Sequence, residues 1–357
     1  MAKKYAKNWS IPKSNNLHKA PTVSKPPRPP VKNTNKVVKQ PMPVVVPSTS
    51  LQKTNKRKSK EDLKKRHKNC EIFICASSTG KLKSKETEMM NELKILFERV
   101  PSTDDYNRIG VNSSNAYALI LKNYKDNKIV IKIPRKTDGT VDSLKYEYIV
   151  GCHIRRTLCK ELPNFMKVYG YIYHKDSNEY LILQRIFPGT SLREIICFGP
   201  SVSVNDPFIK SLVLQVLCAL QIAQNRIKFT HYDLHLGNIV VKEDERYKEK
   251  GSRISYTYKD RNKKDHIVHV PVINGQISVI IDYGRTHTDY GGTFLRNNKE
   301  LFKPYVFLKN KHDTDIRNFD RMYDVKRFVS ILKKYIPDSA FIDTNVHEPH
   351  DIIKQLV

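Results

Sequence analysis

Asp233 and Asn238 stand five residues apart in Phe229-Thr-His-Tyr-Asp-Leu-His-Leu-Gly-Asn-Ile-Val-Val241, and a second carboxylate, Asp282, closes Ile280-Ile-Asp-Tyr-Gly284. Both segments join β-branched runs, so the polar groups are expected on loops beside strand ends. An amide oxygen and a carboxylate in that setting suit Mg²⁺, which takes hard oxygen ligands. An Asp just upstream of the Asn is placed to orient and deprotonate an attacking hydroxyl. The chemistry these residues point to is phosphoryl transfer.

Two further charged residues sit where charge is costly. Lys132 lies in Lys128-Ile-Val-Ile-Lys-Ile-Pro134, sharing a strand face with Val130 while Ile129, Ile131 and Ile133 take the other. A lysine on an apolar strand calls for an anion. Glu147 falls on one helical face with Val150, Gly151, Ile154 and Leu158. Each charge supplies the other's missing partner, and Lys132–Glu147 is the expected pair. Upstream, Ile109-Gly-Val-Asn-Ser-Ser-Asn-Ala-Tyr117 has the position of a phosphate-covering loop. It carries a single glycine, Gly110, with Asn112 and Asn115 as the residues next most able to take positive φ.

The elements that must position these groups are legible from periodicity. Helices are expected over Glu86–Val100, with Met90, Leu93, Ile95, Leu96 and Val100 as the apolar side, and over Asp142–Leu158. Strand pairs are expected at Ala116–Leu121 with Lys128–Ile133, and at Tyr169–Tyr173 with Tyr180–Gln184. Beyond Phe187-Pro-Gly189 the pattern turns helical, with Asp206-Pro207 opening a long apolar helix to Arg226. A long insertion, Lys242–Gly275, separates Asn238 from Asp282, and its Ser255–Tyr258 and His266–Val272 segments suggest a hairpin.

Charge is unevenly spread along the 357 residues: of the formal net +28, residues 1–70 carry +17. Residues 1–69 also hold nine of the nineteen prolines, no glycine and the one tryptophan, Trp9. Such a segment cannot offset the entropy of ordering and reads as a disordered, basic tail suited to nonspecific contact with nucleic acid or another polyanion. The six cysteines show neither zinc-ligand spacing nor a disulfide framework. No uninterrupted run approaches the roughly 18 apolar residues of a membrane span, and the opening Met-Ala-Lys-Lys-Tyr-Ala-Lys lacks the apolar region of a secretory signal. A reducing setting is expected.

In order, the chain presents Gly110, Lys132, Glu147, His231-Tyr-Asp-Leu-x-x-x-Asn238 and Asp282-Tyr-Gly284. This set resembles the protein kinase superfamily's glycine loop, strand lysine, helix glutamate, catalytic loop and metal-binding aspartate. Leu181–Leu192 resembles the kinase hinge and the start of the next helix, and Asp324 the buried helix Asp that supports the catalytic loop. The resemblance covers about residues 105–335. The His-Tyr-Asp-Leu-His-Leu-Gly-Asn form and basic tail are similar to serine/threonine kinase-like proteins of large cytoplasmic DNA viruses, the iridovirus type.

The resemblance implies an α+β, bilobal fold: an antiparallel-sheet N-lobe over residues 70–184, including an N-terminal helical extension, and a mainly helical C-lobe over 185–357, behind the tail of 1–69. It implies ATP and Mg²⁺ as cofactors, Asp233 as catalytic base and Asn238 with Asp282 as metal ligands. Lys132, held by Glu147, would contact the α/β-phosphates. Ile109, Gly110, Val111, Tyr117 and Val130 would line the nucleotide pocket, with the backbone of Gln184 to Ile186 meeting adenine. A serine/threonine protein kinase acting on a host or virion protein, in the host cytoplasm or the virion, is the function so implied. Departures are Tyr232 in place of the usual Arg, His235 in place of the usual Lys, and no Ala-Pro-Glu after Asp282. They keep open a pseudokinase scaffold and a small-molecule kinase of the aminoglycoside phosphotransferase type.

Overall fold

The computed structural model describes residues 70–75, 84–97, 106–109, 116–121, 129–134, 143–174, 179–199, 203–291, 293, 318–336, 338, 342 and 346–357. All fall within one compact unit, Lys56–Val357. The expectations for the tail and for Gly110, Val111, Asn112 and Asn115 lie outside the described residues.

The N-terminal part is a six-stranded antiparallel sheet of β1 (Cys70–Ile74), β2 (Tyr106–Ile109), β3 (Ala116–Leu121), β4 (Ile129–Pro134), β5 (Val168–His174) and β6 (Glu179–Gln184), ordered β1-β5-β6-β4-β3-β2. Strand alternation gives it two apolar faces. Helix α1 (Ser84–Phe97) covers the face of Ile129, Ile131, Ile172, Tyr180 and Ile182 with Met90, Leu93 and Phe97. The predicted apolar side of this helix is only partly right, because Ile95 and Leu96 are exposed and Val100 lies outside the described residues. The apolar residues outnumber one helical face, and the i, i+3, i+7 set that includes Phe97 meets the sheet.

The other face, with Val130, packs against α2 (Ser143–Thr157), whose Glu147, Val150, Ile154 and following Leu158 are buried as the periodicity requires. Gly151 lets helix and sheet approach closely: a Cβ there would lie 2.1 Å from Val168 Cγ2. Cys75, just past β1, and Cys152 of α2 have Cα atoms 5.3 Å apart, within disulfide reach. The expectation was of no disulfide framework, and it did not foresee this single close pair. That expectation rested on local spacing, and the two residues are 77 positions apart.

The chain crosses from β6 into β7 (Pro188–Ser191) and a mainly helical part. Helix α3 (Leu192–Phe198) starts at a capping box in which Ser191 and Glu194 satisfy each other's backbone N–H groups. Helix α4 (Pro207–Ile227) opens on Asp206, whose carboxylate accepts from the N–H groups of Phe208 and Ile209. By length and mean hydropathy α4 is apolar enough to cross a bilayer, but here it is the core helix, buried nearly all round. Strands β8 (Ile239–Glu243) and β11 (Gln276–Ile280) pair antiparallel, with β7 on the far side of β8.

The insertion forms the predicted hairpin, β9 (Arg253–Lys259) and β10 (Asp265–Pro271). It is part of the core: Ile254, Tyr256 and Tyr258 alternate inward, and the Tyr256 hydroxyl donates to Asn164 Oδ1 at 2.9 Å. Helices α5 (Tyr323–Tyr335) and α6 (Pro349–Leu356) complete the layer. The architecture is α+β, an antiparallel-sheet lobe joined to a mainly helical one, as expected.

Candidate active site

The site lies where β4 and α2 of the sheet lobe meet the loops around β8 and β11. Lys132 Nζ donates to Glu147 Oε2 at 2.7 Å and to Asp282 Oδ1 at 2.9 Å. Residues separated by 15 and 150 positions thus form one charge cluster. Burial works against the Lys132 ammonium, but Asp282 and Glu147 outweigh it and hold its pKa above the ordinary lysine value. Burial raises the Glu147 pKa, with Lys132 opposing, whereas at Asp282 the same lysine overcomes burial and brings the carboxyl down to about 2. The lysine is therefore a fixed cation and Asp282 a fixed anion.

Asp282 is held in the left-handed region at φ 66°, a conformation non-glycine residues rarely adopt. Its neighbour Tyr283 is fully buried and donates its hydroxyl to the carbonyls of Met166 and Ile280, both at 3.0 Å. The buried ring anchors the turn that presents Asp282. Ile281 N–H donates to Asn238 O at 3.0 Å, so the segments carrying the two candidate metal ligands are adjacent.

The loop between α4 and β8 is fastened from beneath. Asp324, buried at the start of α5, accepts from His231 N at 2.5 Å and Tyr232 N at 3.0 Å. Burial raises its carboxyl to about 7 despite those two donors. Tyr232 takes φ 59°, a left-handed kink directly before Asp233. His231 is structural rather than a base: its Nε2 meets Ile281 O at 2.9 Å, while Nδ1 accepts from Asp233 N at 3.3 Å. Burial lowers its pKa, consistent with a neutral ring holding one proton on Nε2.

Asp233 Oδ1 meets Arg327 Nη2 at 3.1 Å, and Arg327 Nη1 also donates to Tyr232 O at 3.0 Å. Asn238 Nδ2 donates to Asp233 O at 3.0 Å, which fixes the amide and leaves Oδ1 as its acceptor. His235 Nδ1 accepts from Gly237 N at 3.0 Å and caps the short turn before β8. Asn238 Oδ1 and the Asp282 carboxylate are hard-oxygen donors of the kind Mg²⁺ takes, so their chemistry fits that ion.

Among the other predicted residues, Val130 is buried on the Lys132 face opposite Leu183. Ile109 is paired with Ala118, and the Tyr117 ring lies under the Arg108 guanidinium, 4.5 Å from carbon to centroid. Gln184 and Ile186 are half-buried at the crossing between lobes, but Gln184 N–H already donates to Lys167 O at 2.8 Å. Arg327 is the residue sequence reasoning missed. Its signal was the i, i+3 spacing from Asp324, which puts both on one face of α5.

No family model matches the sequence. "Uncharacterized protein 038R" of Invertebrate iridescent virus 3 is 25% identical over 267 residues, 69% of this chain and 43% of that protein. "Probable kinase 098L" of the same virus is 27% identical over 130 residues, 36% of this chain and 24% of that protein. The chain thus spans less than half the length of either curated relative. Among solved structures, the PF14_0431 kinase domain aligns at 20% identity and TM-score 0.37 over 52% of each chain. The yeast RNA Pol II CTD kinase CTDK-1 complex aligns at 16% and 0.32 over 53% of this chain and 48% of its own. Superpositions this loose carry no functional argument; the fold and the site described above are the chain's own. The chain is similar to these two proteins of Invertebrate iridescent virus 3, one of which is named a probable kinase.

Proposed function

We propose that this protein is an ATP-dependent, Mg²⁺-requiring phosphotransferase directed at serine or threonine hydroxyls of proteins. The observation that carries the reading is Lys132 bridging Glu147 and Asp282, which ties the sheet lobe's cation to the helical lobe's candidate metal ligand. Lys132 is a fixed ammonium where the α/β-phosphates would lie. Mg²⁺, held by Asn238 Oδ1 and Asp282, would neutralise charge developing on the phosphates. Asp233 is positioned by its backbone contacts and by Arg327 to accept the proton of an attacking hydroxyl. The relative called a probable kinase supports the same reading. The acceptor protein, and any role for the basic tail in holding it, belong to this proposal.

The deciding experiment is phosphate transfer from labelled ATP to proteins of a host and viral lysate, and to the protein itself, beside an Asp233→Asn control. Transfer that the variant loses by orders of magnitude supports the proposal. No transfer to any protein sinks it. A second reading, a kinase-fold scaffold, draws on the Arg327–Asp233 ion pair, because a base neutralised by a guanidinium is a poor proton acceptor. Mg²⁺-dependent nucleotide binding without transfer, unchanged by Arg327→Ala, would favour it. Transfer to sugars, choline or aminoglycosides would instead mark a small-molecule kinase.

A further inference from the structure

Away from this site, three side chains from separate parts of the chain converge at the free end of the β9–β10 hairpin. Asp260 lies in the turn after β9, His266 on β10 and His350 in the first turn of α6. One candidate ligand atom from each lies within 4.8 Å of the other two. His266 Nε2 is 3.0 Å from Asp260 Oδ2, and the two imidazole rings have centroids 4.1 Å apart. We propose that Asp260, His266 and His350 form a zinc site that clamps the inserted hairpin to the C-terminal helix.

Donor chemistry and the way each ligand is held both suit that ion. Two imidazoles and one carboxylate are a zinc donor set, and bonds of about 2.0–2.2 Å place neighbouring ligand atoms a little over 3 Å apart. The His266–Asp260 separation already meets that requirement. The Asp260 carboxylate is aimed by its second oxygen: Oδ1 accepts from Asn262 N at 2.9 Å and Lys264 N at 3.0 Å, which leaves Oδ2 toward the rings. The Tyr258 hydroxyl lies 3.0 Å from His350 Nδ1. In the tautomer that donates from Nδ1, this contact fixes the ring and keeps a lone pair on Nε2, the usual outer-shell support of a metal-bound histidine.

His350 is buried while the side chains of Asp260 and His266 remain partly open. Three protein ligands with one open side leave a fourth position for water. Without the ion, the same residues make an Asp–His hydrogen bond with a second imidazole tilted against it. The two alternatives therefore differ in metal content and not in geometry.

The test uses the full chain, stripped with a chelator, desalted and titrated with zinc chloride. Expected are about one tightly held zinc per chain, a melting temperature raised by several degrees, and four-coordinate d–d absorption bands when cobalt(II) replaces zinc. His266→Ala and Asp260→Asn, both partly exposed, should each weaken zinc binding at least ten-fold while keeping the far-UV spectrum. Asp282→Ala should leave it intact, which separates this site from the nucleotide site. Wild-type protein with neither stoichiometric zinc nor cobalt bands would overturn the proposal. So would unchanged zinc content in both His266→Ala and Asp260→Asn. Should those variants misfold, the wild-type cobalt spectrum decides.

Discussion

Arg327 of α5 reaches the carboxylate of Asp233 with Nη2 at 3.1 Å while its Nη1 holds the carbonyl of Tyr232 at 3.0 Å. A single guanidinium thus spans the candidate base and the kinked residue before it. The residue two positions after Asp233 is His235, whose Nδ1 is committed to the backbone of Gly237. The only cation within ion-pair distance of Asp233, among the described residues, therefore comes from a different helix.

If Arg327 orients the base, Arg327→Ala lowers kcat by about ten-fold or more and leaves KM for ATP nearly unchanged, because general-base contributions run to about 10²–10⁴. Arg327→Lys should restore part of the loss. Steady-state kinetics on the three proteins check this. A rise in kcat for Arg327→Ala would show that the guanidinium restrains Asp233 instead.

Lys132→Met removes the partner of a fully buried carboxylate, and breaking such a pair costs about 3–5 kcal/mol. Adding Glu147→Gln should recover part of that cost, since no uncompensated charge is then left inside. Chemical denaturation of the single and double variants measures the coupling. Additive losses would mean that the pair contributes little to the fold.

Asp324→Ala strips two buried N–H donors, those of His231 and Tyr232, of their acceptor. At about 1–3 kcal/mol for each orphaned donor, a loss of roughly 2–6 kcal/mol is expected, with Asp324→Asn milder. Activity should fall by more than the unfolded fraction explains, because the loop that carries Asp233 is released.

Gly151→Ala places a methyl group 2.1 Å from Val168 Cγ2 and must push α2 away from β5. The gain in helix propensity is smaller than the overpacking penalty, about 1–3 kcal/mol. Nucleotide affinity should weaken with stability, since α2 also positions Glu147. A melting temperature equal to wild type would show that the helix shifts at no cost.

His231 is buried with its pKa depressed below 6.5, so the unfolded chain binds its proton more readily. Its contribution to stability is complete above about pH 6.5 and is lost as pH falls. Asp324 works in the opposite sense: its pKa, raised to about 7, gives a contribution present below about pH 3.8 that is lost as pH rises through 7. The test is therefore a difference. The melting-temperature gap between wild type and His231→Asn should narrow from pH 7.5 to pH 5.5, and a gap constant across that range would contradict the depressed pKa.

Much of the frame could be read along the chain because its signals are local. Alternation over Ile129–Ile133 separated two sheet faces, and the 3.6-residue period of Glu147, Val150, Ile154 and Leu158 marked the buried side of α2. The Lys132–Glu147 pair followed from the same reasoning, since each was a charge on an apolar face. The apolar side of α1 was misjudged at Ile95 and Leu96, because its sequence offers more apolar residues than one face holds and the sheet makes the choice.

The long-range groupings were decided by tertiary structure alone. Nothing local places Arg327 on Asp233, Tyr256 on Asn164, Cys75 on Cys152, or His350 beside His266. Residue types and spacing determined which groups carry charge, which strands and helices form and which side of each is apolar. Which charges meet depends on how those elements cross, and that is set by packing among residues up to 150 positions apart.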